Sequence, residues 1–299
     1  MNLKEEILKL KKEKNAIILA HNYQIMPVQE IADFIGDSLQ LAQEAEKVKA
    51  DIILFCGVQF MAETAKLLNP EAKVLLSATD AGCPMADMIT GKQLKKFKSE
   101  HKDPYVVCYV NSNVEVKAES DICCTSGNAI KIINSIPENK TILFVPDQNL
   151  GTYAAQQTGR EIIVWQGFCN VHHVFIKPED ITKAREQYPN YKIIVHPECK
   201  PEIFNKADVV ASTKGMADFA AENDNIVLGT EIGLFEQLKA KFPHKNIVPL
   251  STNAVCRNMK KTALEDVFNT LLNEENEIQI QPDVASKAVK SIHKMLELS

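Results

Sequence analysis

Ala16-Ile17-Ile18-Leu19-Ala20-His21-Asn22-Tyr23 is a run of five apolar residues that stops on three polar ones. The same pattern returns at Val106-Val107-Cys108-Tyr109-Val110-Asn111 and at Ile193-Ile194-Val195-His196-Pro197-Glu198. From His21 to Asn111 is 90 positions, and from Asn111 to His196 is 85. A hydroxyl-bearing turn follows each run: Asp37-Ser38, Thr125-Ser126 and Ser212-Thr213. Ser38 and Ser126 are 88 apart, and Ser126 and Ser212 are 86 apart. The cysteines keep the same step, with 86 positions from Cys83 to Cys169 and 87 from Cys169 to Cys256. Eight cysteines scattered at random rarely hold such a phase.

Internal repetition fixes architecture before any other signal is read. A period near 86 with three copies predicts three small domains of one kind. Closed around a pseudo-threefold axis, they bring equivalent positions together, so Cys83, Cys169 and Cys256 are expected to meet at one central site. Within each unit, short apolar runs alternate with helical patterns, the mark of parallel α/β structure. Strands are predicted at 16–20, near 34–35, at 51–56 and 73–76 in the first unit. In the second they fall at 105–110, 121–124, 141–145 and 161–165, and in the third at 191–195, 208–211, 225–228 and 246–250. The predicted fold class is α/β: three homologous three-layer αβα domains with small parallel sheets. Their expected bounds are 1–90, 91–177 and 178–262. A tail over 263–299 lies outside the triplication and is expected to pack back on the first domain. Its helices are predicted over 258–273 and 283–298, with 277–282 extended between them.

Composition narrows the class. Apolar residues make up 45% of the 299, enough for a sizeable core. A net charge of −5 implies no nucleic-acid footprint. The opening MNLKEEILKLKKEKN is too charged for a signal peptide and reads as an amphipathic surface helix. No apolar run approaches the roughly 18 residues of a membrane span. The expected location is the cytoplasm, where thiols stay reduced. Eight cysteines then point to metal or catalysis rather than to disulfides.

In open parallel sheets, ligands bind beyond the carboxyl ends of the strands, and all of these signatures sit there. Three thiolates suit a zinc ion with water as fourth ligand. They equally suit a 4Fe–4S cluster whose fourth iron stays open as a Lewis acid. Cys56 and Cys108 lie inside apolar runs and read as small buried hydrophobes, as do Cys123, Cys124 and Cys199. Each hydroxyl turn is explained by itself as a helix cap. Three converging on one site suit a substrate with several carboxylates or a phosphate. His21, Tyr23, Tyr109, Asn111, His196 and Glu198 end equivalent strands and supply what general acid–base chemistry needs. His172 and His173, just past Cys169, are further candidates. The turn Gly229-Thr230-Glu231-Ile232-Gly233 and its counterparts Gly57-Val58-Gln59-Phe60 and Pro146-Asp147-Gln148-Asn149-Leu150-Gly151 face the same side, where Glu231 can act as a supporting group.

Together these residues resemble the quinolinate synthase family, the A-type enzymes of de novo NAD biosynthesis. The resemblance is carried by AHNYQ at 20–24, GDSLQLA at 36–42, GCPMAD at 82–87, YVNS at 109–112, PDQNLG at 146–151, HPEC at 196–199, GTEIG at 229–233 and AVCRNMKK at 254–261. It implies a triangle of three α/β domains around one 4Fe–4S cluster held by Cys83, Cys169 and Cys256. It also implies a transferase/lyase-type synthase that condenses iminosuccinate with dihydroxyacetone phosphate to quinolinate, phosphate and two waters. Tyr23, His196 and Glu198 are then the catalytic residues. His21, Ser38, Tyr109, Val110, Asn111, Ser126, His196, Pro197, Glu198, Ser212 and Thr213 are the substrate contacts. An aspartate oxidase or dehydrogenase is the implied supplier of the imine. Some members carry a further cysteine pair near the last ligand. Here Cys256 is followed by Arg257-Asn258-Met259, so thiol control by that route is not expected, and Cys123-Cys124 is no obvious substitute.

Other readings use the same residues. They are a different open-iron hydro-lyase for a small dicarboxylate, a non-enzymatic iron–sulfur protein, and a zinc hydrolase. An electron-transfer protein normally gives its cluster four ligands, and only three cysteines here share the phase.

Overall fold

The computed structural model describes residues 2–299 and contains three parallel four-stranded sheets. The first comprises β1 (Ala16–His21), β2 (Phe34–Gly36), β3 (Ile52–Cys56) and β4 (Lys73–Leu76). The second comprises β5 (Pro104–Tyr109), β6 (Ile122–Cys124), β7 (Thr141–Val145) and β8 (Ile162–Val164). The third comprises β9 (Lys192–Val195), β10 (Val209–Val210), β11 (Asn225–Gly229) and β12 (Asn246–Pro249). Their spatial orders are β2-β1-β3-β4, β6-β5-β7-β8 and β10-β9-β11-β12, one topology used three times. Every predicted strand is present, with no end moved by more than one residue.

The sequence builds these sheets for a simple reason. The central strands are unbroken β-branched and aliphatic runs, as in Ile52–Cys56, where all five residues are buried. Such runs suit strands covered on both faces by helices. One polar contact is repeated in all three units. The carboxylates of Asp33, Asp121 and Asp208 accept from the backbone N–H of Ile18, Val106 and Ile193, at 2.8, 2.8 and 2.7 Å. Each acid lies 15 residues after its partner and fixes the start of the second strand against the first. The helices begin on caps: Asp37 with Gln40 forms a capping box, and the Asp147 and Ser212 side chains each accept an N–H from their first turn.

The tail departs from expectation. Residues 258–263 do not open a helix; the helix is Leu264–Asn273, and it packs on Leu3–Glu13, β3 and β4 of the first unit. The extended stretch lies against β4, with Ile278 N–H donating to Val74 O at 2.8 Å. The last helix, Pro282–Glu297, does not share that seat. It covers β6 and Val114–Ala118 of the second unit and touches Gln59–Leu68. Its apolar stripe, Ala288, Ile292 and Met295, completes the core around β5 and β6. The tail thus bridges the first and second units.

Candidate active site

A cavity with roughly 700 Å³ of space, its mouth included, is lined from all three units. The first gives His21, Tyr23, Asp37, Ser38 and Cys83; the second Tyr109, Asn111, Thr125, Ser126, Cys169 and His172; the third His196, Glu198, Thr213 and Cys256. Val58, Phe60, Met61, Met85 and Met259 form its apolar wall. Of the candidate residues, Val110, His173, Pro197, Ser212 and Glu231 lie outside the lining, His173 Nδ1 lying 2.9 Å from Asn149 Nδ2. Val110 is buried in the core and donates its N–H to Cys124 O, and Pro197 is buried between His196 and Glu198. Ser212 caps the helix Thr213–Glu222 through its Oγ, which accepts from Gly215 N–H at 3.2 Å.

Each cysteine loop is tied down in the same way. The residue after the third-strand turn donates its N–H to the carbonyl two residues before the cysteine. The pairs are Gln59 to Ala81, Gln148 to Gly167 and Ile232 to Ala254, each at 2.9 Å. In the second unit Asp147 adds a side-chain tie, accepting from Leu150 N–H at 2.7 Å and Cys169 N–H at 3.1 Å. In the third, Glu231 accepts from Gly233 N–H at 2.6 Å and Cys256 N–H at 3.0 Å. The turn after each cysteine aims backbone N–H groups at its sulfur: Met85 and Ala86 at Cys83, His172 at Cys169, Asn258 and Met259 at Cys256.

These thiols are poor thiolates by themselves. Burial pushes Cys83 up to about 12, Cys256 up to about 11 and Cys169 well above its ordinary value. A positive centre reverses that preference, because it stabilises the thiolates that burial disfavours. The donor set therefore fits a metal centre: three sulfurs on one cavity, each met by N–H donors. A zinc ion needs its sulfurs about 3.8 Å apart, given bonds of about 2.3 Å in a tetrahedron. Among the described residues, Cys169, His172 and Glu198 have ligand atoms within 4.8 Å of one another, and the three cysteines do not form such a group. Within that group, His172 Nδ1 and Glu198 Oε2 are 2.6 Å apart, a separation that holds a proton and leaves no room for an ion.

Glu198 is the hub of the polar network. Its Oε1 accepts from the Tyr109 hydroxyl at 2.5 Å, and its Oε2 accepts from His172 Nδ1. His172 Nε2 lies 2.9 Å from Thr230 Oγ1, which lies 2.8 Å from the Tyr23 hydroxyl. Glu198–His172–Thr230–Tyr23 is thus one continuous hydrogen-bonded chain drawn from all three units. Burial alone would raise Glu198, but the hydrogen bonds it accepts from His172 and Tyr109 hold it well below the carboxylate range. Burial, then the Glu198 charge, keeps both tyrosines far above their ordinary value and protonated. Burial holds His21 and His196 down at about 3, so both rings are neutral. Their Nδ1 atoms accept the N–H of Tyr23 and Glu198, which leaves Nε2–H as the donor. In His196 that donor faces Ser126 Oγ at 3.2 Å.

The family model described as quinolinate synthetase A protein matches residues 5–297. The chain belongs to this family. It is 53% identical over 300 residues to the quinolinate synthase of Alkaliphilus metalliredigens, covering 99% of this chain and 98% of that one. It is 50% identical over 298 residues to the quinolinate synthase of Dehalococcoides mccartyi strain CBDB1, with the same coverage. It is also 50% identical over 297 residues to quinolinate synthase 2 of Methanosarcina acetivorans, covering 99% and 95%. Among solved structures, the E-1-hydroxy-2-methyl-but-2-enyl-4-diphosphate reductase from Plasmodium falciparum overlaps 91% of this chain and 83% of its own, at TM-score 0.32 and 13% identity. That likeness is too loose to bear on the fold.

Sequence reasoning underrated part of this cavity. His172 was a secondary candidate, yet it touches Glu198 and Thr230 at once. Thr230 stood only as part of a turn, and Asp147 likewise. The signal for Asp147 was its alignment with Glu231, each at the second residue after a third strand. Among the described residues, no helix is long and apolar enough to cross a membrane.

Proposed function

We propose that this chain is a quinolinate synthase in full: it condenses iminosuccinate with dihydroxyacetone phosphate, releasing phosphate and two waters and forming pyridine-2,3-dicarboxylate. The observation that carries the reading is the Glu198–His172–Thr230–Tyr23 chain beside one cavity that also gathers three cysteines and three hydroxyl-bearing turns. Condensation, isomerisation and two dehydrations need protons removed and returned at several carbons. An ionised glutamate joined to a phenol through imidazole and hydroxyl can do both.

Cys83, Cys169 and Cys256 hold a 4Fe–4S cluster in this reading. A cubane carries each cysteine on a separate iron, which suits sulfurs too far apart for one ion. When bound, its open iron supplies Lewis acidity toward a substrate oxygen or nitrogen. The remaining roles belong to the protein. Ser38 and Thr213 stand at helix starts, Ser126 stands in the turn before Ala129–Ser135, and the three bind the carboxylates and the phosphate. Asn111, 3.5 Å from Ser38 Oγ, orients the substrate with Tyr109. Glu198 takes a proton, and its hydrogen bonds to Tyr109 and His172 aim the free lone pairs. Tyr23 gives a proton to a leaving hydroxyl and recovers it through Thr230 and His172. His21 and His196, neutral and with fixed tautomers, donate Nε2–H to substrate oxygen. Val110 and Pro197 act through the backbone, and Ser212 through its cap.

The three sheets, the shared strand order and the repeated Asp clamps support three homologous domains, 1–90, 91–177 and 178–262, about a pseudo-threefold axis with the site at its centre. We place the enzyme in the cytoplasm, with an aspartate oxidase or dehydrogenase supplying the imine. The test is an anaerobic assay of reconstituted protein with freshly generated iminosuccinate and dihydroxyacetone phosphate. Quinolinate that disappears with Cys169→Ala supports the reading. No product from a preparation with full iron and sulfide overturns it.

A further inference from the structure

Lys260 lies four residues after Cys256 and does not line the cavity, yet three site elements meet at its ammonium. Nζ donates to Tyr23 O at 2.6 Å and lies 3.2 and 3.3 Å from the two Glu231 oxygens. Glu231 is fully buried, and its Oε1 holds the N–H of Cys256. The junction closes on Gly233 for steric reasons. A Cβ there would stand 2.6 Å from Lys260 Nζ, 2.8 Å from Glu231 Oε2 and 3.0 Å from Tyr23 Cα.

The second unit shows that a cation is not needed to hold a cysteine loop. Asp147 performs Glu231's task for Cys169 using backbone donors, and no lysine pairs with it among the described residues. The ammonium in the third unit therefore does something more. Glu231 and Cys256 belong to that unit, whereas Tyr23 follows β1 of the first. We propose that Lys260 is a positioning residue that registers the Tyr23 phenol against the Cys256 corner of the site, across the boundary between the two units. This rests on the quinolinate synthase reading given above. The lysine touches no substrate and acts only through Tyr23 and Cys256. Misplacement by about 1 Å can cost on the order of 100-fold in rate.

The test uses the full-length, anaerobically reconstituted protein. Lys260→Met is expected to keep wild-type iron and sulfide and to lower kcat about 30-fold with KM changed less than about 3-fold. In a Tyr23→Phe background the same substitution is expected to lower kcat less than about 3-fold, because groups that act as a unit are not additive. Lys260→Gln, which keeps an N–H for Tyr23 O, is expected to recover part of the loss and serves if Lys260→Met does not fold. The EPR spectrum of the reduced cluster, recorded without turnover, is expected to shift in Lys260→Met. Equal loss in both backgrounds, an unchanged kcat, or an unchanged spectrum with full cluster overturns the proposal. Wild-type protein that makes no quinolinate overturns the functional reading alone, and the spectrum then decides the lysine.

Discussion

Two of the three cysteine loops are held by a buried acid, and the first is not. Asp147 and Glu231 each cap a helix with one oxygen and hold a cysteine N–H with the other. At the matching place in the first unit stands Val58, which caps nothing and lines the cavity. Only the backbone tie, Gln59 N–H to Ala81 O, is kept. Main-chain geometry around the cysteine is common to all three units. Side chains at the same position have diverged into two kinds of support and one apolar wall.

If the loops are equivalent as ligands despite that difference, Cys83→Ala and Cys169→Ala must fail alike. Both are expected to drop quinolinate formation to background and to lose iron and sulfide on reconstitution. A Cys83→Ala protein with a full complement of iron breaks the equivalence. One step below in magnitude, Glu198→Gln is expected to lower kcat by roughly 10²- to 10⁴-fold, the range for losing a general acid–base. Its iron and sulfide should stay at the wild-type level, because Glu198 hydrogen-bonds Tyr109 and His172 and no cysteine.

The two acids can then be set against each other. Burial, and then the Glu198 charge, pushes Asp147 toward its neutral form, which asparagine imitates. Asp147→Asn keeps one acceptor and turns its amide N–H toward the other backbone donor, so it is expected to cost about 1 to 2 kcal/mol in urea unfolding, the low end for a buried donor left unpaired. Burial also raises Glu231, but the Lys260 charge opposes it. Glu231→Gln leaves that ammonium facing a neutral amide, at about 3 kcal/mol, the low end for breaking a buried pair. Equal costs for the two would erase the distinction.

The histidines sharpen the contrast between cavity and surface. Held down at about 3, His21 and His196 stay neutral while the unfolded chain takes up protons below its ordinary value of 6.5. The unfolded state then binds more protons, so stability falls as pH drops from 6.5 toward 3 and is flat above. Each ring contributes a slope of up to about 1.4 kcal/mol per pH unit. His196→Asn should remove one such slope, read from urea midpoints at pH 5.0 and 6.5. An unchanged pH profile would mean that the ring is charged in the fold.

The period made the cysteines, the strand ends and the sheet count legible, because each depends on local pattern and repeats. What stayed illegible comes from contacts between units. His172 gains its place from Glu198 and Thr230, 26 and 58 residues away. Those separations match no part of the period, so no spacing flags the set. The seat of the last helix was missed for a similar reason. The stripe Ala288, Ile292, Met295 identifies an apolar face, and nothing in it names the sheet that receives it. The helix expected from 258 begins instead at Leu264. Residues 256–261 are spent on the cysteine turn, where Lys260 N–H donates to Cys256 O.

The smallest effect separates two neighbours that the sequence treats as one motif. In the first unit Asp37 caps the helix and Ser38, after it, faces the cavity; in the third, Ser212 caps and Thr213 faces the cavity. In the second unit Thr125 Oγ1 accepts from Gly127 N–H in the turn that precedes the helix Ala129–Ser135, and Thr125 lines the site. In the third unit, then, position one belongs to folding and position two to binding, whereas Asp37 and Thr125 line the cavity as well. Ser212→Ala is expected to cost about 1 kcal/mol of stability, the usual loss of a serine cap, with KM unchanged. Thr213→Val keeps the cap and is expected to raise KM for dihydroxyacetone phosphate without moving the urea midpoint. If Ser212→Ala raises KM while leaving stability intact, the helix start is a ligand site first and a cap second, and the first-position serine belongs with the substrate contacts.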